Sequence, residues 1–325
     1  MAAKNELLIL AEYSQDKIHP VVFELLNKGQ ELAEKANLTL SVLILLPQKV
    51  DLSELISQGA EKVYYIEDPS FGYPDEFLYK ENILAFLKEH QVDIILTGAT
   101  NFGRSLAPRI AAGLKTGLTA DCTALDIDEE GNLVQIRPAF SEHILAHIKS
   151  DTRPQMATIR YQEFKKGTVD QNKKGEIIAY QAKKNDNHNL MAIKKISDRE
   201  VNIAEADIIV AGGSGVKNNE DFKLLKELAD LLGGQLAASR DVVDAGLIAK
   251  EYQVGYSGQR VKPKLYFAFG ISGAPQHLAG MKEADTIIAV NTDPSAPIFN
   301  TADYGIVADL YQIIPELIEM LKKSK

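Results

Sequence analysis

Ile208-Ile209-Val210-Ala211 running into Gly212-Gly213-Ser214-Gly215 is the stretch that decides the fold. The four apolar residues have the length and β-branched content of a short buried strand, and the glycines let the chain turn sharply at its end. Beyond the turn, Asp221 to Leu232 carries Phe222, Leu225, Leu228 and Leu232 at helical spacing, which predicts an amphipathic helix. Strand, glycine turn and helix together begin a βαβ unit, and this commits the neighbouring chain to a parallel sheet with helices on its faces.

The same rhythm continues toward the C-terminus. Leu236 to Ala238 is a predicted strand leading into Ser239-Arg240, Leu265 to Phe269 one leading into Gly270-Ile271-Ser272-Gly273, and Thr286 to Val290 one leading into Asn291, with a last helix over Asp309 to Lys322. All four strands end in a turn holding Gly, Ser or Asn, and open α/β sheets bind ligands at the carboxyl ends of their strands. Ala274-Pro275-Gln276-His277 opens a helix at one such end, so a titratable imidazole stands among small residues there. Arg240, Ser257, Gln276 and His277 all fall at or near strand ends or turns of one small domain, a convergence that favours a site.

Toward the N-terminus the alternation is just as regular. Strands are predicted at Leu7 to Ala11, Leu38 to Leu46, Val63 to Ile66 and Val92 to Thr97, and helices at Val21 to Ala36, Leu52 to Gln58, Glu76 to His90 and Arg104 to Leu114. After Asp121 come short β-prone stretches, Leu133 to Ile136, Ile144 to Lys149 and Gln155 to Arg160, which read as an antiparallel appendage. Phe164 to Glu200 is rich in Lys, Asn, Asp and Gln, the composition of an exposed edge or connector. The boundary falls near residue 196, with Val201 to Ala204 leading into the second domain. The expected fold class is α/β: two domains, residues 1–195 and 196–325, each a largely parallel sheet flanked by helices.

Composition excludes several functions. A net charge of -9 opposes binding to phosphate backbones or anionic lipid, so no nucleic-acid partner is expected. No window has the run of uncharged apolar residues a membrane span needs, and a cytoplasmic location is expected. The single cysteine, Cys122, forms no internal disulfide and suits a reducing compartment as a small buried hydrophobe. There is no Walker loop, zincin helix, nucleophile elbow or zinc-ligand spacing. Gly212-Gly213-Ser214-Gly215 is not a dinucleotide fingerprint, and a turn without a ligand would use glycines too. Glu129 and Glu130 flank a turn glycine, and Arg104 and Arg109 lie five apart in a predicted helix and point in different directions.

The C-terminal third is similar to a known family. Val254-Gly255-Tyr256-Ser257-Gly258, Gly270 to Met281, Asn291-Thr292-Asp293-Pro294, Ala296-Pro297-Ile298-Phe299 and Ala302-Asp303-Tyr304-Gly305 resemble the alpha subunit of electron-transfer flavoproteins. Shorter segments, Thr116 to Cys122 and Arg137-Pro138-Ala139-Phe140, resemble the same family in the first domain. The resemblance implies one FAD in the C-terminal domain, with a beta subunit packing against the N-terminal scaffold. It also implies electron carriage between a partner dehydrogenase, such as an acyl-CoA dehydrogenase, and an acceptor.

Residue by residue, it places Arg240 and His277 near the flavin ring and Ser257 near its N5. It assigns Ser239, Ser272 and Gln276 to the flavin or pyrophosphate, and Asn291 and Asp309 to the adenosine half. Ser214, Val254, Gly255, Tyr256, Gly270, Gly273, Ala274 and Leu310 complete the expected cofactor set. A permanent Arg cation or a tunable His cation beside N1 and O2 would stabilise the negative charge gained on reduction. Ser214 stands where many alpha subunits have Arg, Tyr256 replaces a common Gln, Ser257 a common Thr, and Ser141-Glu142 a region often rich in glycine. A stand-alone FAD- or NAD-dependent dehydrogenase and a nucleotide-binding regulatory module are the readings from other classes.

Overall fold

The computed structural model describes residues 5–14, 16–139, 141–183 and 203–323, and the chain divides into two compact units, residues 1–191 and 192–325. The boundary expected near residue 196, and Val201 leading out of it, lie outside the described residues.

In the first unit the elements run β1 (Glu6–Ala11), β2 (Tyr13–Ser14), β3 (Lys17–Ile18), α1 (Val21–Ala36), β4 (Thr39–Leu46), α2 (Ser53–Ser57), β5 (Lys62–Glu67), α3 (Glu76–Leu87), β6 (Val92–Gly98) and α4 (Asn101–Leu114). They continue as β7 (Leu118–Cys122), β8 (Ala124–Ile127), β9 (Leu133–Ala139), β10 (Ser141–Ile148), β11 (Gln155–Ile159) and β12 (Glu176–Tyr180). Seven strands form one parallel sheet in the order β12-β5-β4-β1-β6-β11-β7. β1 reads as an unbroken apolar run because both faces are covered. Leu7 and Ile9 pack with Val22, Leu25 and Leu32 of α1, and Leu8 and Leu10 pack with Ile83 and Phe86 of α3 and Leu106 and Ile110 of α4. α4 begins before the predicted Arg104 because Thr100 caps it, its hydroxyl accepting from the Gly103 amide at 2.9 Å. Cys122 is fully buried, and burial pushes its thiol up to about 12, so it is inert.

Two expectations for this unit need correction. Only β8, β9 and β10 form the antiparallel appendage; β11 is a parallel strand inside the main sheet, between β6 and β7. All five of its residues are buried, Gln155 and Thr158 included. Their polar groups are satisfied internally, Gln155 Nε2 donating to the Ser150 carbonyl and Thr158 Oγ1 accepting from the Asp121 amide. The polar connector holds β12, whose largely exposed residues pair with β5 as an edge of the same sheet. Composition reported its exposure, but the pairing depends on β5, over a hundred residues earlier.

In the second unit the elements are β13 (Ile208–Gly212), α5 (Phe222–Leu232), β14 (Gln235–Ala238), α6 (Arg240–Asp244), β15 (Leu265–Phe269), α7 (Pro275–Leu278), β16 (Ile287–Asn291), β17 (Tyr304–Val307) and α8 (Leu310–Lys323). The five strands are all parallel, in the order β14-β13-β15-β16-β17. Leu225 and Leu228 of α5 and Ile314 and Ile318 of α8 cover one face, over Val210, Phe269 and Val290. Val254, Val261, Met281 and Ile298 cover the other, over Ile209, Ala211, Tyr266 and Ala268. β17 adds a strand beyond those expected from the sequence, and all four of its residues are exposed. The α/β class expected for both domains is what the chain adopts.

Candidate functional site

Because the five strands run the same way, their carboxyl ends at Gly212, Ala238, Phe269, Asn291 and Val307 share one edge of the sheet. The strand order reverses between β13 and β15, where doubly wound sheets open a ligand crevice. The two glycine turns flank that point and lock together. Gly213 donates to the Phe269 carbonyl at 2.9 Å and Gly215 to the Gly270 carbonyl at 3.0 Å. A Cβ on Gly213 would lie 2.5 Å from the Gly270 carbonyl oxygen, so these glycines are needed for turn-on-turn packing. Leu310, buried, backs both turns, and Ser214 stands exposed after Gly213.

The neighbouring segments are tied to this edge by their backbones. Ser239 donates its amide to the Gly212 carbonyl at 3.0 Å, and Val254 donates to the Ala238 carbonyl at 2.9 Å. Tyr256 donates to the Gln276 carbonyl at 2.7 Å, so the turn carrying Gly255 and Ser257 is held at both ends. Gly255, at φ +143, lets that turn lie against α7, where a Cβ would meet the Gln276 carbonyl at 3.0 Å. Ser257 Oγ accepts from Gln253 Nε2 at 3.0 Å. Gly273, at φ +89, packs on the Ile298 amide, while Ser272, Ala274 and Gln276 are exposed.

Each expected polar contact has a defined place. Arg240 opens α6, is 65% exposed in its side chain, and pairs with Asp244 at 2.9 Å one turn on. Asn291 Nδ2 donates to the Ile271 carbonyl and its Oδ1 accepts from the Asp293 amide, both at 3.0 Å, so its amide joins two strand-end turns. Asp309 accepts from the Tyr311 amide at 2.9 Å and caps α8. His277 is buried, with Nε2 3.0 Å from the Tyr266 hydroxyl. Burial pushes its pKa down to about 4, against smaller opposing effects of the Val254 carbonyl and the Asp241 carboxylate. Burial thus favours the neutral form of the imidazole expected as a tunable cation.

Among the described residues, three buried side-chain polar atoms lack a hydrogen-bond partner: Ser239 Oγ, His277 Nδ1 and Gln58 Oε1. Two of the three belong to this edge. Buried polar groups are nearly always satisfied, so a serine hydroxyl and an imidazole nitrogen left open here fit a ligand rich in oxygen and nitrogen acceptors, as FAD is. Sequence reasoning missed Tyr266. Its signal was a tyrosine inside an apolar strand, since a buried phenol calls for a polar partner. The described residues hold no cluster of side chains suited to a metal ion, and no described helix is long and apolar enough to cross a membrane.

A doubly wound parallel sheet with glycine turns at its switch point and unsatisfied donors beside them defines a nucleotide-cofactor-binding domain. The chain matches the electron transfer flavoprotein domain over residues 7–185 and the electron transfer flavoprotein FAD-binding domain over residues 202–282. It is 46% identical to the electron transfer flavoprotein subunit alpha of Thermoanaerobacterium thermosaccharolyticum, over 99% of each chain. Identity to the corresponding subunit of Megasphaera elsdenii is 43%, over 100% of this chain and 98% of that one. The lactate dehydrogenase (NAD(+),ferredoxin) subunit LctC of Acetobacterium woodii is 39% identical, over 97% of this chain and 77% of that one. The chain belongs to the electron-transfer flavoprotein family, as an alpha subunit. It carries electrons through FAD, and as an alpha subunit it has a beta subunit for its partner.

Proposed function

We propose that FAD binds along the carboxyl edge of the second sheet, in a domain spanning residues 196–325, and that residues 1–195 are a scaffold for the beta subunit. FAD supplies the redox chemistry when bound. The observation that carries the assignment is the pair of unpartnered buried atoms, Ser239 Oγ and His277 Nδ1, on one sheet edge. Ser239 contributes a hydroxyl donor, His277 a ring nitrogen, and Arg240 a permanent cation. Ser257, Ser272 and Gln276 add exposed polar groups beside them. Asn291 and Asp309 shape the adenosine side, Asn291 by bracing the Ile271 and Asp293 turns. Ser214, Val254, Gly255, Tyr256, Gly270, Gly273, Ala274 and Leu310 form the walls. The chain takes electrons from a cytoplasmic dehydrogenase, such as an acyl-CoA dehydrogenase, and passes them to a second redox protein.

The test is co-expression with the beta subunit, followed by size exclusion and a flavin count. A heterodimer that keeps FAD is expected, and Ser239→Ala with His277→Ala should release flavin. Equal flavin loss from substitutions confined to residues 1–150 overturns the site. A stable FAD-saturated monomer with no affinity for the beta subunit overturns the scaffold role.

A further inference from the structure

Tyr266 lies on β15 with its side chain in the core of the face opposite α5 and α8, and it has no solvent exposure. Its hydroxyl is 3.0 Å from His277 Nε2. Burial pushes the phenol pKa well above its ordinary value, so the O–H keeps its proton at any working pH. Two proton arrangements are compatible with the contact. If Nε2–H donates to the phenol oxygen, the phenol proton has no acceptor inside the core, a costly state for a buried donor. If the phenol donates to Nε2, the contact is satisfied and the ring proton resides on Nδ1. Each arrangement leaves one buried proton open, and only the second puts it on the ring nitrogen at the proposed cofactor edge, where a bound acceptor can take it.

The open end of the ring is then Nδ1–H, a buried atom without a hydrogen bond of good geometry, with the Val254 carbonyl as the backbone acceptor that acts on the ring. The backbone of α7 leaves the ring little freedom. Tyr256 donates to the Gln276 carbonyl, and Gly280 packs so closely on the Gly255 turn that a Cβ there would lie 2.5 Å from Gly255 Cα. The groups acting on the ring are the Tyr266 phenol, the Val254 carbonyl and the Asp241 carboxylate. Protonating the ring would turn Nε2 into a donor and strand the phenol proton again, so the contact itself opposes the imidazolium.

We propose that Tyr266 is a positioning residue of the FAD site: its phenol O–H donates to Nε2 of His277 and holds the imidazole neutral, with Nδ1–H presented as a fixed donor to an acceptor atom of the flavin. This rests on the FAD-site reading above. It divides the labour at the flavin, with Arg240 supplying charge and His277 supplying a direction.

The test reads ring protons directly. In the FAD-loaded complex with nitrogen-15 histidine, long-range proton–nitrogen correlations report the tautomer and charge of each of the six histidines, and His277→Asn identifies the signal. The neutral Nδ1–H pattern is expected, unchanged from about pH 5.5 to 8.5. Tyr266→Phe should mix the tautomers and weaken FAD retention roughly three- to tenfold. A wild-type ring in the Nε2–H form, or one that titrates in that range, overturns the proposal whether or not the variant folds. So does a Tyr266→Phe ring that keeps the pure Nδ1–H pattern. If the tautomer depends on Tyr266 but the Nδ1–H chemical shift ignores removal of FAD, the FAD-site reading fails and its flavin-directed role with it. If that shift responds to FAD but the tautomer survives Tyr266→Phe, only the positioning role fails.

Discussion

Gly215 and Gly270 stand so close that a Cβ on either would lie 2.8 Å from the other's Cα. The contact joins the turns after β13 and β15 at the point where the strand order reverses, and Gly270 meets it at φ +61. Gly270→Ala should therefore cost about 2–4 kcal/mol, from the left-handed backbone and the overpacking together, and should release FAD. Gly233→Ala is the control: φ is +70 with nothing within 4 Å of the new Cβ. It should cost only about 1 kcal/mol and keep its flavin. Urea unfolding of the complex, with released flavin read by fluorescence, separates the two.

Asn291 joins the Ile271 carbonyl to the Asp293 amide. Asn291→Ala loses both bonds, and FAD should dissociate about tenfold more readily. The reduction potential of the flavin that remains should be unchanged, because no charge is removed. A large shift in potential would place Asn291 nearer the redox centre than the adenosine side.

Removing the Arg240 cation should lower the first reduction potential of bound FAD, since the charge added on reduction loses a favourable neighbour. The exposed guanidinium and its Asp244 partner weaken the effect, so a fall of about 20–60 mV is expected, 59 mV being a tenfold change in a one-electron equilibrium. Arg240→Lys should retain most of the potential. Spectroelectrochemical titration of the complex measures both, and an unchanged potential in Arg240→Ala removes this residue from the flavin site.

Glu24 of α1 is buried and accepts from the Gln162 amide at 3.0 Å. Burial pushes its pKa up to about 7, outweighing the lowering effects of the Phe164 and Gln162 amides and of the Lys166 and His19 charges. The folded state then holds a proton that the unfolded state gives up near its ordinary value, so this stabilisation is complete below about pH 4.5 and is lost as pH rises through about 7. Glu24→Gln should flatten that slope and gain about 2 kcal/mol at pH 8 relative to wild type. Urea midpoints of the complex between about pH 5 and 8 test this; parallel wild-type and variant curves would contradict it.

The amino-acid sequence by itself determined the two α/β units, because apolar period and glycine turns are local signals that survive without the fold. α1 falls at Val21–Ala36 as predicted, and the strand Leu265–Phe269 likewise. The family motifs also suggested a cofactor set, with its Ser, Arg, His and Asn at strand ends, which stands here as a proposal. Pairing was not legible in the same way. β11 enters the middle of the first sheet, and β12 joins an edge beside β5, since a strand's neighbours are chosen by long-range packing that no local window records. Only the tertiary structure decided that Gly213, Gly215 and Gly270 serve each other's packing, that Ser239 Oγ and His277 Nδ1 are left buried and open, and that Tyr266 reaches His277. Residue type states which groups can donate or accept; whether each finds a partner or a low-dielectric surrounding depends on atoms brought from distant parts of the chain.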